Sequence, residues 1–299
     1  HPMPNLKKFN SYEALKTFIE TRKPVQQTHP YPYFQVSNPN YWRNFPMPGL
    51  MRVNSAGPQS FSSNGPTFEA GPDFSGTNVQ VEGVDEADIV KTDGEYIYVV
   101  GNQQIVIVKA YPPEEAAVLS RIVVNGTLKQ MFINNDRLVV FHEQGWPAET
   151  FISVYNALDR QNPEFKTQMS VEGSYFTSRM IDDYVYVVIR KMATVSGGVV
   201  NLPALSCGNE TKVVPANEIY YSDVVDYGYV FTTVLSFNVE QDGQRPKNQT
   251  VLSGHTANIY ASANNIYLAM TQTGNTILHR IHIENGDISY VADGEVPGR

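Results

Sequence analysis

Cysteine is almost absent from this chain, which has one, Cys207, among 299 residues. A single cysteine excludes an internal disulfide framework and any zinc site of the CxxC type. In an exported protein, an unpaired cysteine is typical either of a small buried side chain or of a disulfide to a residue elsewhere. If the chain continues beyond this sequence, we expect a disulfide from Cys207 to a residue outside it.

Long apolar runs and basic clusters are also missing. No stretch approaches the roughly 18 consecutive apolar residues of a transmembrane helix, so we expect no membrane span within these residues. The chain has 22 Lys and Arg against 30 Asp and Glu, a formal net charge of −8, and no basic run. A negative surface repels phosphate groups, which argues against nucleic acid and anionic lipid as the main partner.

Charged residues make up only 17% of the chain, against roughly 25% in typical soluble proteins. Since 41% of the residues are hydrophobic, disorder of the highly charged kind is not expected for the whole chain. The first residue is His1 rather than methionine, so a removed export signal would be invisible in this sequence.

Three N-glycosylation sequons occur, each with a threonine two residues after the asparagine, at Asn125, Asn209 and Asn248. A chain rich in asparagine and threonine shows about that many by chance. The sequons are compatible with an extracellular glycoprotein without establishing one.

The chain divides into three parts by composition. Residues 1–22 predict a short amphipathic helix that Asn10 caps, with three apolar residues on one face. Residues 23–76 are rich in Pro, Ser, Asn, Gly and Tyr, which indicates an extended tether. Aromatic rings on such a segment are suited to contact with a partner. The tether aromatics expected to make this contact are Tyr31, Tyr33, Phe34, Tyr41 and Trp42.

From residue 77 to residue 299 the hydrophobic period becomes two. Four tight Asn, Asp or Gly turns each lead into an apolar strand, and a second β-rich run follows each of them. The first three turns are roughly 40 to 50 residues apart, and a loop insertion at about 193–229 delays the fourth. This recurrence predicts an all-β fold, a β-propeller with about four blades in the chain. Most closed propellers have more blades, so either these blades close a small ring or further blades are missing from the chain. We expect them to form part of a larger ring.

Residues 77–98 read TNVQVEGVDEADIVKTDGEYIY, which closely resembles the opening signature of the secreted β-propeller-domain proteins of archaea and bacteria, distant relatives of WD-repeat propellers. The helix at residues 6–16 and the segment 294–298 also resemble parts of that family. The resemblance covers nearly the whole chain except the tether, but only about the first half of the family's propeller. It implies an exported, surface-located propeller whose remaining blades lie outside this chain, and no catalytic residues to carry over.

The densest group of carboxylates lies in that signature. Carboxylate oxygens at short spacing can hold Ca²⁺, although the EF-hand spacing is absent. The alternative is that these side chains cap turns and accept hydrogen bonds from backbone amides in the first blade. The candidate calcium ligands are Glu82, Asp85, Glu86, Asp88 and Asp93.

No recognisable catalytic motif occurs in the sequence. A Gly-x-Ser-x-Gly nucleophile elbow is missing, and nothing around Cys207 resembles the signature of a catalytic thiol. His279 and His282 are three residues apart in an expected strand, which places them on opposite faces and not as a ready-made metal pair.

These features favour an extracellular, cell-surface propeller that acts as a structural or protein-interaction module of the cell envelope or of a surface assembly, not as an enzyme. Its expected partners are the remaining blades, another envelope protein, or further copies of the chain. The alternative is an exported hydrolase or carbohydrate-active enzyme that uses the central face of the propeller, since carboxylate pairs are a three-dimensional property. A third is a sensor that binds peptide or sugar in the axial channel.

Overall fold

The computed structural model describes residues 7–22, 83–221, 228–254, 258–271 and 274–298. The predicted tether over residues 23–76 lies outside them. None of the described helices is long and apolar enough to cross a membrane.

Four groups of four antiparallel strands, here called blades 1 to 4, follow one another along the chain, and further strands extend blades 2 and 3 to sheets of six and seven strands. The strands of blade 1 are Val90–Thr92, Tyr96–Val100, Gln104–Lys109 and Ala117–Val123. Those of blade 2 are Thr127–Asn134, Arg137–Gln144, Glu149–Asn156 and Glu164–Glu172. Those of blade 3 are Ser174–Ile181, Tyr184–Met192, Val230–Asn238 and Lys247–Ser253. Those of blade 4 are Asn258–Ser262, Asn265–Thr271, Asn275–Glu284 and Asp287–Pro297. The predicted all-β propeller fold is thus confirmed.

The turns between the first and second strands follow the predicted chemistry. Gly94, Asn135 and Asp182 have φ values of 97°, 51° and 51° in blades 1, 2 and 3. These values lie in the left-handed region, which glycine, asparagine and aspartate tolerate best. The recurring Asn, Asp and Gly residues therefore set where each hairpin reverses.

Apolar layers between successive blades form the core. Blades 1 and 2 enclose one layer, blades 2 and 3 a second, and blades 3 and 4 a third. In blades 2, 3 and 4, the second and fourth residues of the second strand face the preceding blade and are buried. These residues are Leu138 and Val140, Val185 and Val187, and Ile266 and Leu268. Alternation along each strand puts the intervening residues on the opposite face.

The insertion adds strands outside the blades, where the sequence predicts a loop. The hairpin of Ala204–Cys207 and Glu210–Val213 extends blade 2 to six strands, and Val195–Ser196 pairs with Val199–Val200 in a separate hairpin. Tyr220–Tyr221 pairs in parallel with the last strand of blade 3. Two short 3₁₀ helices also occur in the described part of the chain, at Pro113–Glu115 and Ala216–Glu218.

The predicted N-terminal helix spans Tyr12–Thr21 and is preceded by a short strand, Lys7–Lys8, which pairs with Tyr220–Tyr221. Its N-cap is Ser11, one residue after the predicted Asn10, because the Ser11 hydroxyl accepts a hydrogen bond from the Ala14 amide at 3.1 Å. The buried face consists of Leu15, Phe18 and Ile19, which join the layer between blades 2 and 3.

Candidate functional site

The acidic signature crosses three blades. Asp85–Glu86 forms a short strand along the first strand of blade 3, opposite Met180 and Arg179. Asp88 then pairs with Met131 in the first strand of blade 2, through backbone bonds of 2.9 and 3.2 Å. The chain next enters blade 1. We call residues 83–93 the inner clasp, because they bond to the first strand of each of two blades before starting a third.

Two carboxylates of the inner clasp are paired with basic side chains. The buried Lys91 ammonium donates to both Asp85 oxygens, at 2.7 and 2.9 Å. Glu86 Oε1 lies 3.0 Å from a guanidinium nitrogen of Arg179 in blade 3. A buried ammonium requires such a partner, since its desolvation is otherwise unfavourable by several kcal/mol. These charges therefore hold the clasp in place.

Asp93, at the end of the clasp, joins blade 1 to blade 2. One carboxylate oxygen accepts from the Tyr96 amide at 2.8 Å, and the other accepts from the Tyr98 hydroxyl at 2.9 Å and from Arg160 at 3.2 Å. Arg160 belongs to blade 2 and also donates to Asp136 at 2.6 Å. Burial is the main cause that raises the pKa of Tyr98, which therefore stays a neutral donor.

The proposed calcium ligands do not converge in the described residues. Asp85, Glu86 and Asp93 are engaged as above, and Asp88 Oδ1 accepts from the Ile89 amide at 2.6 Å. Within the described ranges no three His, Cys, Asp or Glu side chains form a group that could hold a metal ion. Glu82 lies outside those ranges, so the calcium site stays a prediction.

The three sequons differ in accessibility. Asn125 is exposed between blades 1 and 2, and Asn209 is exposed in the turn of the hairpin that extends blade 2. Asn248 is half-buried, and the threonine of its sequon, Thr250, is buried with its hydroxyl 2.9 Å from that of Thr233. Glycosylation stays a prediction. The exposed side chains of Asn125 and Asn209 are more accessible to it than the half-buried side chain of Asn248.

Cys207 is the last residue of a strand in the same hairpin, not part of a loop. Its thiol is free and half-buried, and its Sγ lies 4.0 Å from the Gln244 carbonyl oxygen. The disulfide to a residue outside the chain stays a prediction. The tether aromatics are outside the described residues and stay predicted contacts, namely Tyr31, Tyr33, Phe34, Tyr41 and Trp42.

Two buried histidines were not anticipated as buried groups from the sequence. His142 Nε2 lies 3.5 Å from Ser153 Oγ, but both side chains are enclosed between blades, which gives a substrate no access. His279 is fully buried, and its Nδ1 is 2.5 Å from the Tyr290 hydroxyl. Burial lowers the pKa of His279 to about 4. The sequence pattern could have indicated this burial, because both histidines occupy positions that face the apolar layer in strands where buried and outward-facing residues alternate.

One face of blade 1 is mostly apolar and packs against none of the other described blades. It lies on the side away from blade 2, and cross-strand pairs such as Val90 with Val99 and Val108 with Val118 run across it. Val123 is 79% exposed and Val118 is 52% exposed. Its half-buried and exposed apolar side chains, which we call the open face, are Val90, Ile97, Val99, Val106, Val108, Val118 and Val123.

Comparison with known proteins places this arrangement in a family. The family described as Beta propeller domain matches residues 74–299, so the chain belongs to that family. An uncharacterized protein of Methanocaldococcus jannaschii, MJ1554, is 32% identical over 212 residues, which are 70% of this chain and 31% of that protein. An uncharacterized protein of Archaeoglobus fulgidus is 26% identical over 212 residues, 65% of this chain and 32% of that protein. The chain thus spans about a third of the length of these relatives.

Solved structures resemble the chain only distantly. A functionally unknown protein from Desulfotomaculum acetoxidans aligns with a TM-score of 0.30 and 11% identity, covering 70% of this chain and 69% of that one. Kluyveromyces lactis Hsv2 aligns with a TM-score of 0.27 and 14% identity, covering 67% and 62%.

Proposed function

We propose that this chain is an extracellular, cell-surface β-propeller that acts as a structural and protein-interaction module of the cell envelope or of a surface assembly, without catalysis. The proposal is based on the ion pairs that the carboxylates of the inner clasp form. Asp85, Glu86 and Asp93 each bind a basic side chain within or between blades. Groups engaged in this way stabilise an arrangement of blades and are not positioned to act on a ligand.

The rim formed by the insertion supports a role in interaction. Val199 and Val213 are 59% and 53% exposed on two hairpins that extend beyond the blades. Strand Glu210–Val213 ends the six-stranded sheet, and each of its residues is exposed. An exposed edge strand with apolar side chains is a surface that another protein can contact.

The extracellular location rests on the resemblance of the signature to exported propeller proteins and on accessible sequons at Asn125 and Asn209. Protease treatment of intact cells that make the natural protein tests it. We expect the protein to be degraded while a cytoplasmic marker stays intact. Degradation only after the cells are lysed would contradict the location.

Lysine-reactive crosslinking on intact cells tests the interaction role. Lys212 lies in the exposed edge strand, so we expect crosslinks from it to another envelope protein. The Lys212→Arg variant should lose those crosslinks, whereas Lys166→Arg, on the outer strand of blade 2, should keep them. Crosslinks confined to the chain itself would contradict the interaction role.

A further inference from the structure

We propose that residues 7–22, here called the N-terminal segment, dock on the insertion of a second copy of the chain and so link neighbouring copies. The inference rests on the proposed structural role in a surface assembly. It identifies a second copy as one partner in that assembly, and the insertion at residues 193–229 as the surface that receives it.

The insertion is not needed to complete a blade. In blades 1 and 2, residues 101–103 and 145–148 are enough to join the second strand to the third. The same connection in blade 3 is made by residues 193–229, whose short strands and 3₁₀ helix lie outside the four strands of that blade. Additional structure in a connection between strands indicates a task other than building the blade.

The backbone of the N-terminal segment is bonded to this insertion. Lys7–Lys8 runs antiparallel to Tyr220–Tyr221, with each lysine opposite a tyrosine, and forms the edge of the seven-stranded sheet. The Phe9 amide then donates to the Ile219 carbonyl oxygen at 3.4 Å. The segment is therefore received as an added edge strand, a mode of recognition that operates within a chain or between chains.

The helix of the segment packs on the same insertion. The Phe18 ring centre lies 5.0 Å from that of Tyr221 and 5.2 Å from that of Tyr229, and the Tyr12 hydroxyl accepts a hydrogen bond from the Val200 amide at 2.6 Å. A helix of 10 residues is not stable alone in water, so the segment stays folded only while it is docked. The insertion contributes five buried residues to the apolar layer that includes the helix, namely Ala193, Val200, Val214, Ala216 and Ile219.

The connection between the segment and blade 1 is long enough to reach a second copy. Residues 23–82 separate Arg22 from Gly83, and a chain of 60 residues reaches at most about 200 Å. A folded domain of about 220 residues has a radius of gyration of only about 17 Å. Exchange of the segment between adjacent copies also reuses the same contacts and requires no new surface.

Charge favours a second copy as the partner. The N-terminal segment contains four basic and two acidic residues, a net charge of +2, whereas the rest of the chain carries −10. Two acidic propellers repel one another, and a basic segment that extends from one to the other offsets this repulsion. In a surface assembly, adjacent copies are held close enough to compete with the chain's own insertion for the segment.

Disulfide trapping between two differently tagged copies tests the inference. Both copies of the natural, full-length protein carry Cys207→Ser and are made in the same cells, one with Lys8→Cys and the other with Tyr220→Cys. Lys8 and Tyr220 are opposite one another in the paired strands, a separation that a disulfide can bridge. We expect at least about ten times more product that links the two tags than in the control. There, Glu164→Cys, exposed on the outer strand of blade 2, replaces Tyr220→Cys.

A chain that carries both Lys8→Cys and Tyr220→Cys reports whether the two strands pair at all. Lys7→Cys with Tyr221→Cys replaces this pair if the first fails to fold. A disulfide in the double variant without any link between the tags would overturn the inference, because each segment would then dock on its own chain. Failure of both pairs to form a disulfide would contradict the docking itself. Crosslinks from Lys212 to another envelope protein, without a link between the tags, would refute this inference and leave the proposed interaction role standing.

Discussion

Blades 1 and 2 carry the same apolar positions in their second strands, yet only those of blade 2 are covered. Leu138 and Val140 lie against blade 1, whereas Ile97 and Val99 face away from every described blade. The repeat specifies two apolar faces per blade, and a blade at the end of the series leaves one of them without a partner. Among the described residues, the face of blade 1 that carries Ile97 and Val99 belongs to none of the three apolar layers.

Replacing valine by aspartate at equivalent positions of blades 1 and 2 should give the largest difference in the free energy of unfolding. In the chain of 299 residues, we expect Val140→Asp to lower the free energy of unfolding by at least about 4 kcal/mol, because an unpaired carboxylate would be buried. Val99→Asp should lower it by about 1 kcal/mol, since the open face is reached by water. Urea unfolding followed by circular dichroism measures both. Equal losses would mean that the face is already covered in this chain.

The two faces of blade 4 differ in their histidines, which gives the second prediction. Burial against blade 3 lowers the pKa of His279 to about 4. In the unfolded state the pKa of His279 is near 6.5. As the pH falls from about 6.5 to 4, the imidazole therefore binds a proton in the unfolded state but not in the folded state. We expect the free energy of unfolding to fall by about 3 kcal/mol over this window from His279, with no contribution from it above pH 7.

The His279→Gln variant should remove this part of the acid dependence, as measured by urea unfolding at a series of pH values. His282→Gln is the matched control, because His282 lies three residues further along the strand on the face that points away from blade 3. An acid dependence that is the same in His279→Gln and in the unchanged chain would show that His279 does not cause it.

Substitutions of two arginines test whether a contact between blades contributes more to stability than an exposed side chain does. Arg160 links Asp93, Asp136 and the Tyr98 hydroxyl between blades 1 and 2, whereas Arg121 is exposed on the side of the open face. We expect Arg160→Gln to lower the free energy of unfolding by about 2 kcal/mol, since it removes the charged donor that Asp93 and Asp136 share. Arg121→Gln should change it by less than about 0.5 kcal/mol. Thermal unfolding ranks the two, and a reversed order would contradict the role given to Arg160.

The sequence predicts the parts of the fold that depend on local pattern. The turns at Gly94, Asn135 and Asp182, the alternating strands and the amphipathic helix all follow from short-range chemistry. The helix cap differs by one residue, because Asn10 and Ser11 are both good caps and only the backbone geometry selects Ser11. The strands of the insertion were missed, since segments of two to four residues beside Gly and Pro read as loop.

The partners of the signature carboxylates depend on contacts between distant residues. Arg160 is 67 residues from Asp93 along the chain, and Arg179 belongs to blade 3. No local pattern contains such pairings. The sequence offered calcium binding and turn capping as alternatives for these carboxylates, whereas the structure shows ion pairs with three basic side chains as well as caps. Similarly, spacing places His279 and His282 on opposite faces but does not tell which face is covered.

We expect the four blades to belong to a larger ring. The most direct test of this expectation is an experimental structure of the protein purified from its own organism. We predict a further blade packed on Ile97, Val99 and Val106, with one of its polar side chains bonded to the loop at residues 110–116. An open face that is exposed to solvent in the complete protein would contradict this expectation.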